Sequence, residues 1–373
     1  MSESSIQKSG GWFRYNLTNS QLARFKNQRK FHFQSERSVA YQAWVANEIG
    51  GKFKKQSLER SSLGSEEVEI AVDHCGICHS DLSMWQNEWG MTECPAVFGH
   101  EVVGRVTAMG PQAKGLAIGQ RVGIGWNCAS CMHCRQCMSG EQHLCSEAHP
   151  TIAGHFGGFA NSVRAHWAWT LPLPDGLKFA DAGPLLCGGI TVFNPIAMFA
   201  TPKSRVGVIG IGGLGHMALK FAAAYGCEVT AFTSSESKFD EAVGFGAQHV
   251  VATRDSQAIE KLSKSFDLLI VTVNVSLDWQ PLINTLASNG RMHVVGAVLE
   301  PIPVPVFPLM TRQGSVGASP TGSPVDMADM LAFAARHSIA PKTEHFPMSK
   351  INEAFKHVAD GKPRYRVVLD ADF

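Results

Sequence analysis

The chain has 373 residues, enough for two or more domains, and its 45% hydrophobic and 17% charged content suits a globular protein with a sizeable core rather than a fibrous or disordered one. A formal charge of +1 offers neither a basic field for nucleic acid nor an acidic tail, so a small neutral partner fits better than a polyanion. Ten cysteines with no signal-peptide pattern point to a reducing compartment, and a cytoplasmic location is expected.

In chain order, residues 1–38 come first, where Lys8, Arg14, Arg24, Lys26, Arg29, Lys30 and Arg37 face only Glu3 and Glu36. This composition reads as an extension ahead of the domains, either a disordered basic arm or a start set too far upstream, with a transit peptide as the third reading. The over-extended start is favoured, because Val39 directly precedes the domain-like Ala40-Tyr41-Gln42-Ala43-Trp44 and valine codons can serve as alternative initiators.

From residue 39 to about 180, short apolar runs cut by glycine predict the strands of a compact β-rich domain, among them Val68–Val72, Glu101–Val106 and Gln120–Ile124. Inside this region Cys131-x2-Cys134-x2-Cys137-x7-Cys145 gathers four thiolates within one loop. Such a shell suits one tetrahedral zinc and leaves no open position, which marks it as structural; two disulfides are the weaker reading. The uncharged stretch Ala182–Pro202 is long enough to span a bilayer, but Pro184, Gly188, Gly189, Asn194 and Pro195 interrupt it, so buried interior is expected and no membrane segment.

After Cys187 the rhythm changes. Strands are predicted at Arg205–Ile209, Glu228–Phe232, His249–Ala252, Leu268–Val273 and Arg291–Val295, alternating with helical stretches such as His216–Tyr225, Ser237–Gly244 and Leu277–Leu286. That alternation predicts an α/β, doubly wound parallel sheet. Helices at Val325–Arg336 and Ile351–Ala359 and a strand at Arg366–Leu369 are assigned back to the first domain. The expected organisation is therefore 39–187 with 320–373 as a catalytic domain, and 188–319 as an inserted nucleotide-binding domain.

Gly210-Ile211-Gly212-Gly213-Leu214-Gly215 satisfies G-x-G-x-x-G between a predicted strand and a predicted helix, the context in which a dinucleotide pyrophosphate meets a helix N-terminus. Where an NAD enzyme places an acidic residue for the ribose diol, this chain has Thr233-Ser234-Ser235-Glu236-Ser237-Lys238. Small hydroxyls and a lysine suit a 2′-phosphate, so NADP(H) is expected, with Glu236 dissenting.

Three further segments carry a family resemblance: Cys75-Gly76-Ile77-Cys78-His79-Ser80-Asp81, Gly99-His100-Glu101 and Leu185-Leu186-Cys187-Gly188-Gly189-Ile190-Thr191. With the four-cysteine run, Gly207–Gly215, Gly296-Ala297 and Tyr365-Arg366, they resemble the zinc-dependent medium-chain alcohol dehydrogenases over about Ala40–Phe373, in the branch of cinnamyl alcohol dehydrogenases and bacterial broad-specificity NADPH-dependent aldehyde reductases.

The resemblance implies a GroES-like β-rich catalytic domain with an inserted Rossmann domain, two zinc ions per chain, NADP(H), and interconversion of small-molecule aldehydes and primary alcohols. It implies Cys78, His100 and Cys187 as ligands of a catalytic zinc, with Glu101 able to join them transiently, and Cys131, Cys134, Cys137 and Cys145 as the structural site. Asp81 is implied to orient His100, Ser80 to meet the substrate oxygen and begin a proton relay, and His79 to lie against the cofactor. Ser83 stands where many relatives carry a histidine that ends the relay, so the last proton step has no side chain assigned.

The resemblance adds Thr191, Val273, Gly296, Ala297, Ser315, Gly317 and Ser319 to the cofactor contacts already given by Gly210, Gly212, Gly213, Leu214, Gly215, Thr233, Ser234, Ser235 and Lys238. It also implies a homodimer through the nucleotide domains, with Ile302–Met310 as an interface segment. Trp85, Trp89, Phe98 and Trp126 are candidates for an apolar substrate wall, and Cys75, Cys94, Cys128 and Cys227 are expected to be plain buried cysteines. The rival readings are an NAD-dependent polyol or secondary-alcohol dehydrogenase and a zinc-bound, non-catalytic relative.

Overall fold

A computed structural model describes residues 39–373, so the reading of residues 1–38 lies outside the described residues. Two sheets organise the chain. In the first, the strand Glu67–Ile77 alternates buried and partly exposed residues along most of its length, the pattern of a strand with one face on a core. It pairs antiparallel with Glu101–Met109, Ser162–His166 and Arg366–Asp370. Arg121–Ile124 and Leu171–Pro172 extend the sheet on one side, and Thr343–Pro347 closes the other. The side chains of Val68, Ile70, Val102, Val122 and Val367 form its core together with Phe98 and Phe159.

The second sheet has six parallel strands in the order His249–Ala252, Glu228–Thr233, Arg205–Ile209, Phe266–Val271, Leu286–Val294 and Ser315–Ala318. Arg205–Ile209 comes first in sequence yet sits third in space, so the chain order reverses between it and Phe266–Val271. Ligands of doubly wound sheets bind at this reversal, beyond the carboxyl ends of the strands. Past Arg205 and Asp267 near their starts, the two central strands are apolar and buried, as burial on both faces demands.

Ala182–Pro202 forms no membrane span. It contains the 12-residue helix Gly188–Phe199, buried along most of its length, and no helix of the described residues is long and apolar enough to cross a membrane. The C-terminal segment serves both sheets. Helix Pro324–Arg336, opened by a Ser323–Asp326 capping box, packs Phe333 against Phe193 and Phe221, whereas Thr343–Pro347 and Arg366–Asp370 join the first sheet.

Candidate active site

The helix His79–Trp85 begins directly after the long strand Glu67–Ile77, and its first turn is built around Asp81. Asp81 Oδ2 accepts from the backbone N–H of Cys78 at 2.9 Å, while Oδ1 accepts from the N–H of Gly99 at 2.9 Å and from His100 Nδ1 at 3.0 Å. One buried carboxylate thus starts the helix and fixes the His100 tautomer, leaving Nε2 free to act as a ligand. That Nε2 lies 3.2 Å from Cys187 Sγ, and Cys187 Sγ lies 3.8 Å from Cys78 Sγ.

Ligating atoms of Cys78, His100, Glu101 and Cys187 all fall within 4.8 Å of one another, and all four residues are buried. A tetrahedral zinc with bonds of about 2.3 Å to sulfur separates two thiolates by about 3.8 Å, so the donor set and its spacing fit that ion. Electrostatics point the same way. The neighbouring Cys187 sulfur holds Cys78 well below the usual thiol range, helped by Arg366 and His100. Burial acts to lower the pKa of His100, but the Asp81 carboxylate and the Cys78 sulfur outweigh it and hold the ring well above its ordinary value. A dication bound here would take the place of the His100 proton and balance the thiolate charge.

Glu101 is fully buried, and burial pushes its carboxyl up to about 7 against the opposing pull of Arg366. The Arg366 guanidinium pairs with Glu101 Oε1, while Oε2 has no partner. Arg366 also borders the glycine turn, since a side chain added at Gly213 would meet its Cδ at 3.0 Å. Arg366 stands in the Tyr365-Arg366 pair that carries the resemblance, but its partner Glu101 lies 265 residues away and no local pattern marks the pairing; a fully buried carboxylate needs a cation, and Arg366 supplies it.

A cavity of about 440 Å³ opens over these residues. Cys78, His79 and Ser80 line one wall, and Gly210, Ile211, Gly212, Gly213 and Leu214 line another. Thr233, Ser234, Ser235 and Lys238 continue the floor, where Lys238 Nζ donates to the Ile211 carbonyl at 2.8 Å. Val273, Gly296 and Ala297 face the same space. Gly210 takes a positive φ of 89°, and a Cβ at Gly215 would sit 1.9 Å from the Gly210 carbonyl oxygen, so the turn closes only with glycine at both positions.

Other assigned residues lie apart from this cavity. Gly317 and Ser319 border a neighbouring hollow, Ser319 bonds His293 at 2.9 Å, and Ser315 receives Arg291 at 3.4 Å. Thr191 is buried in the first turn of its helix. Asn274, absent from the sequence reading, lines the cavity and donates from Nδ2 to His79 Nε2 at 2.9 Å, joining the two walls.

Of the four aromatic candidates, Trp89 lines the cavity and Trp126 meets the His100 ring edge-on at 5.1 Å. Trp85 and Phe98 instead pack with Phe53 in the core of the first sheet. Ser80 Oγ lies 3.7 Å from Cys78 Sγ, and Ser83 is buried. Cys75, Cys128 and Cys227 are buried, but Cys94, expected to be buried, is exposed because it lies in the polar loop ahead of Pro95.

The second cluster is separate. Sulfur atoms of Cys131 and Cys145 are 3.6 Å apart, Cys134 and Cys145 3.7 Å, and Cys131 and Cys137 3.9 Å, again the edges of a zinc tetrahedron. Backbone N–H groups of Cys134, Cys137 and Glu147 point at three of the sulfurs, and such bonds stabilise thiolate charge. Cys137 Sγ also lies 3.6 Å from Ser130 Oγ, which accepts from buried Trp169, so the loop is tied to the core.

Known proteins match both halves of this arrangement. Residues 64–175 match the alcohol dehydrogenase GroES-like domain and residues 213–336 the zinc-binding dehydrogenase family. The chain is 50% identical to aldehyde reductase AdhA of Synechocystis sp. over 88% of its own length and 98% of the relative's. It is 37% identical to a mannitol dehydrogenase of Petroselinum crispum, over 83% of this chain and 95% of that one. Among solved structures, a cinnamyl alcohol dehydrogenase of Sorghum bicolor superposes with a TM-score of 0.85 at 35% identity, covering 89% of this chain and 98% of that chain. A cinnamyl alcohol dehydrogenase of Helicobacter pylori, solved with NADP(H), gives 0.81 at 28% identity, covering 90% and 99%.

Proposed function

The chain belongs to the zinc-dependent medium-chain alcohol dehydrogenases, in the cinnamyl alcohol dehydrogenase-like branch, and from that premise we propose that it reduces a broad range of aldehydes with NADPH. The family membership makes it an enzyme of alcohol–aldehyde oxidoreduction. The observation that carries the finer reading is a shared cavity: Cys78, His79 and Ser80 face the same space as the glycine turn and Lys238.

When bound, zinc held by Cys78, His100 and Cys187 supplies Lewis acidity toward a carbonyl oxygen, and a nicotinamide in the cavity supplies hydride. The chain's own residues do the rest. Asp81 holds His100 in register as a ligand, and Arg366 keeps buried Glu101 within reach of the same centre. Ser80, beside Cys78, is placed to pass a proton to the substrate oxygen. Asn274 steadies His79 at the edge of the cofactor space. Trp89 and Trp126 present apolar surface, and such a wall separates substrates by only about 1–3 kcal/mol per methylene, which supports breadth.

Support for NADP(H) comes from the absence of an acidic side chain at the cavity floor, where Thr233, Ser234, Ser235 and Lys238 stand instead. We assign the four-cysteine loop to a second, structural zinc and take 39–187 with 320–373 and 188–319 as the two domains. Pairing of chains through the nucleotide domains is supported by helix Val306–Met310, whose Phe307 and Met310 are exposed. The mannitol dehydrogenase relative favours polyol oxidation as the second reading.

A screen of NADPH oxidation with aliphatic, terpenoid and aromatic aldehydes, run beside NADH and mannitol, separates the two. Turnover of several aldehydes with NADPH, abolished in Cys78→Ser, is expected. A tenfold preference for NADH, or turnover of polyols alone, would overturn the proposal.

A further inference from the structure

Away from the cavity, three neighbouring strands of the first sheet bring two histidines and an aspartate to one spot. Asp370 stands directly opposite His74 in the antiparallel pair, and His345, paired with Val368, is on the next strand two residues back along the same face. His74 Nδ1 lies 2.7 Å and His345 Nδ1 2.8 Å from the same oxygen, Asp370 Oδ1. The three donor atoms fall within 4.8 Å of one another, and all three side chains are partly open to solvent.

His345 is fixed from behind. Its Nε2 lies 2.8 Å from Oδ1 of Asp181, a carboxylate that is 4% exposed and is itself held by Thr343 Oγ1 at 2.6 Å and by Lys178. A carboxylate on the far nitrogen of an imidazole is the support that metal-bound histidines use. Before an ion binds, both ring nitrogens donate, Nε2–H to Asp181 and Nδ1–H to Asp370, and the ion would displace the Nδ1 proton. Two imidazole nitrogens and one carboxylate oxygen on one face, with the opposite side open to water, form the two-histidine, one-carboxylate pattern of transition-metal sites. At right angles, metal bonds of about 2.1 Å place such donors about 3.0 Å apart, so a few tenths of an ångström of opening seats the ion.

We propose that His74, His345 and Asp370 form a solvent-facing site for a borderline divalent transition metal, separate from both thiolate clusters, that staples the C-terminal strand to its two neighbours. Nitrogen and oxygen donors favour nickel, copper and zinc over calcium or magnesium. None of the three residues lines the cofactor cavity, so the ion has no part in hydride transfer.

The test uses the untagged full chain with its resident metal, titrated with Ni²⁺ alone by calorimetry while released zinc is measured by elemental analysis. Uptake of one Ni²⁺ per chain without zinc release is expected, together with a rise in Tm. His74→Gln and Asp370→Asn should weaken that uptake more than tenfold, and Asp181→Asn by about 10–100-fold. The Tm rise should vanish in whichever variants fold. Uptake only in exchange for zinc, or uptake and a Tm rise unchanged in His74→Gln, overturns the proposal.

Discussion

Replacing His216 by glutamine should flatten the acid side of the stability profile. His216 follows the glycine turn and is fully buried. Its Nδ1–H donates to the Gly212 carbonyl at 3.0 Å, and its Nε2 accepts from the Lys342 N–H at 3.1 Å, an arrangement only the neutral ring can make. The ring also stacks on Tyr365 at 4.9 Å. Burial pushes its pKa from 6.5 down to about 3. Because the folded value is depressed, the unfolded chain binds the extra proton first, and stability falls as pH drops from about 6.5 toward 3. The full window amounts to about 5 kcal/mol at 1.36 kcal/mol per unit, and the step from pH 7 to pH 5 to about 2 kcal/mol. Urea unfolding of wild type and His216→Gln at both pH values isolates the effect, with wild type losing about 2 kcal/mol more than the variant. Equal losses in the two proteins would refute the reasoning. Since His216 grips the Gly212 carbonyl, the variant should also bind NADPH more weakly at pH 7, read as a raised KM.

Lys238→Ala removes the cation at the cavity floor; a charge-assisted contact of about 1.5–3 kcal/mol predicts an NADPH KM raised about 10–100-fold, with NADH kinetics little changed. Cys134→Ser should lower bound zinc and Tm while the folded fraction keeps its kcat, which metal analysis, thermal melts and active-site titration check together. Arg366→Met leaves Glu101 buried without its partner and should destabilise the chain by about 3–5 kcal/mol in urea, with partial recovery in the Arg366→Met, Glu101→Gln double variant. Asn274→Ala frees His79 and should raise the cofactor KM more than it lowers kcat.

What was legible in the sequence was chemistry written in short spacings. The four-cysteine run, the glycine turn and the alternation of strands with helices each lie within a few dozen residues, and the periods of the parallel sheet are apolar enough to read directly. Contacts across the chain were not legible. Arg366 meets Glu101 from 265 residues away, and Asn274 meets His79 from 195, so nothing local marks either pair. Helix Gly188–Phe199 was hidden by two glycines and Pro195, which read as interruptions but are tolerated because close packing demands small residues there: a Cβ at Gly188 would meet Met217 at 2.6 Å. The strand Thr343–Pro347 is short, mostly polar and proline-ended, so its pattern resembles a loop until Arg366–Asp370 pairs with it. The sequence pattern puts Leu286 at the end of a helix, yet it opens the strand Leu286–Val294, since an apolar residue at a boundary satisfies either period.

The three hydrogen bonds accepted by Asp81 bear on how this site can vary through descent. Cys78 and Asp81 lie some twenty residues from Gly99 and His100, yet a single carboxylate settles the backbone of one segment and the ring of the other. Drift at position 81 therefore unsettles a helix start, a loop amide and a ligand in one stroke. Loss of the histidine alone leaves the aspartate two of its three donors, whereas loss of the aspartate alone leaves the buried ring and both amides without their acceptor, so a lineage that abandons the metal gives up the histidine more readily than the aspartate.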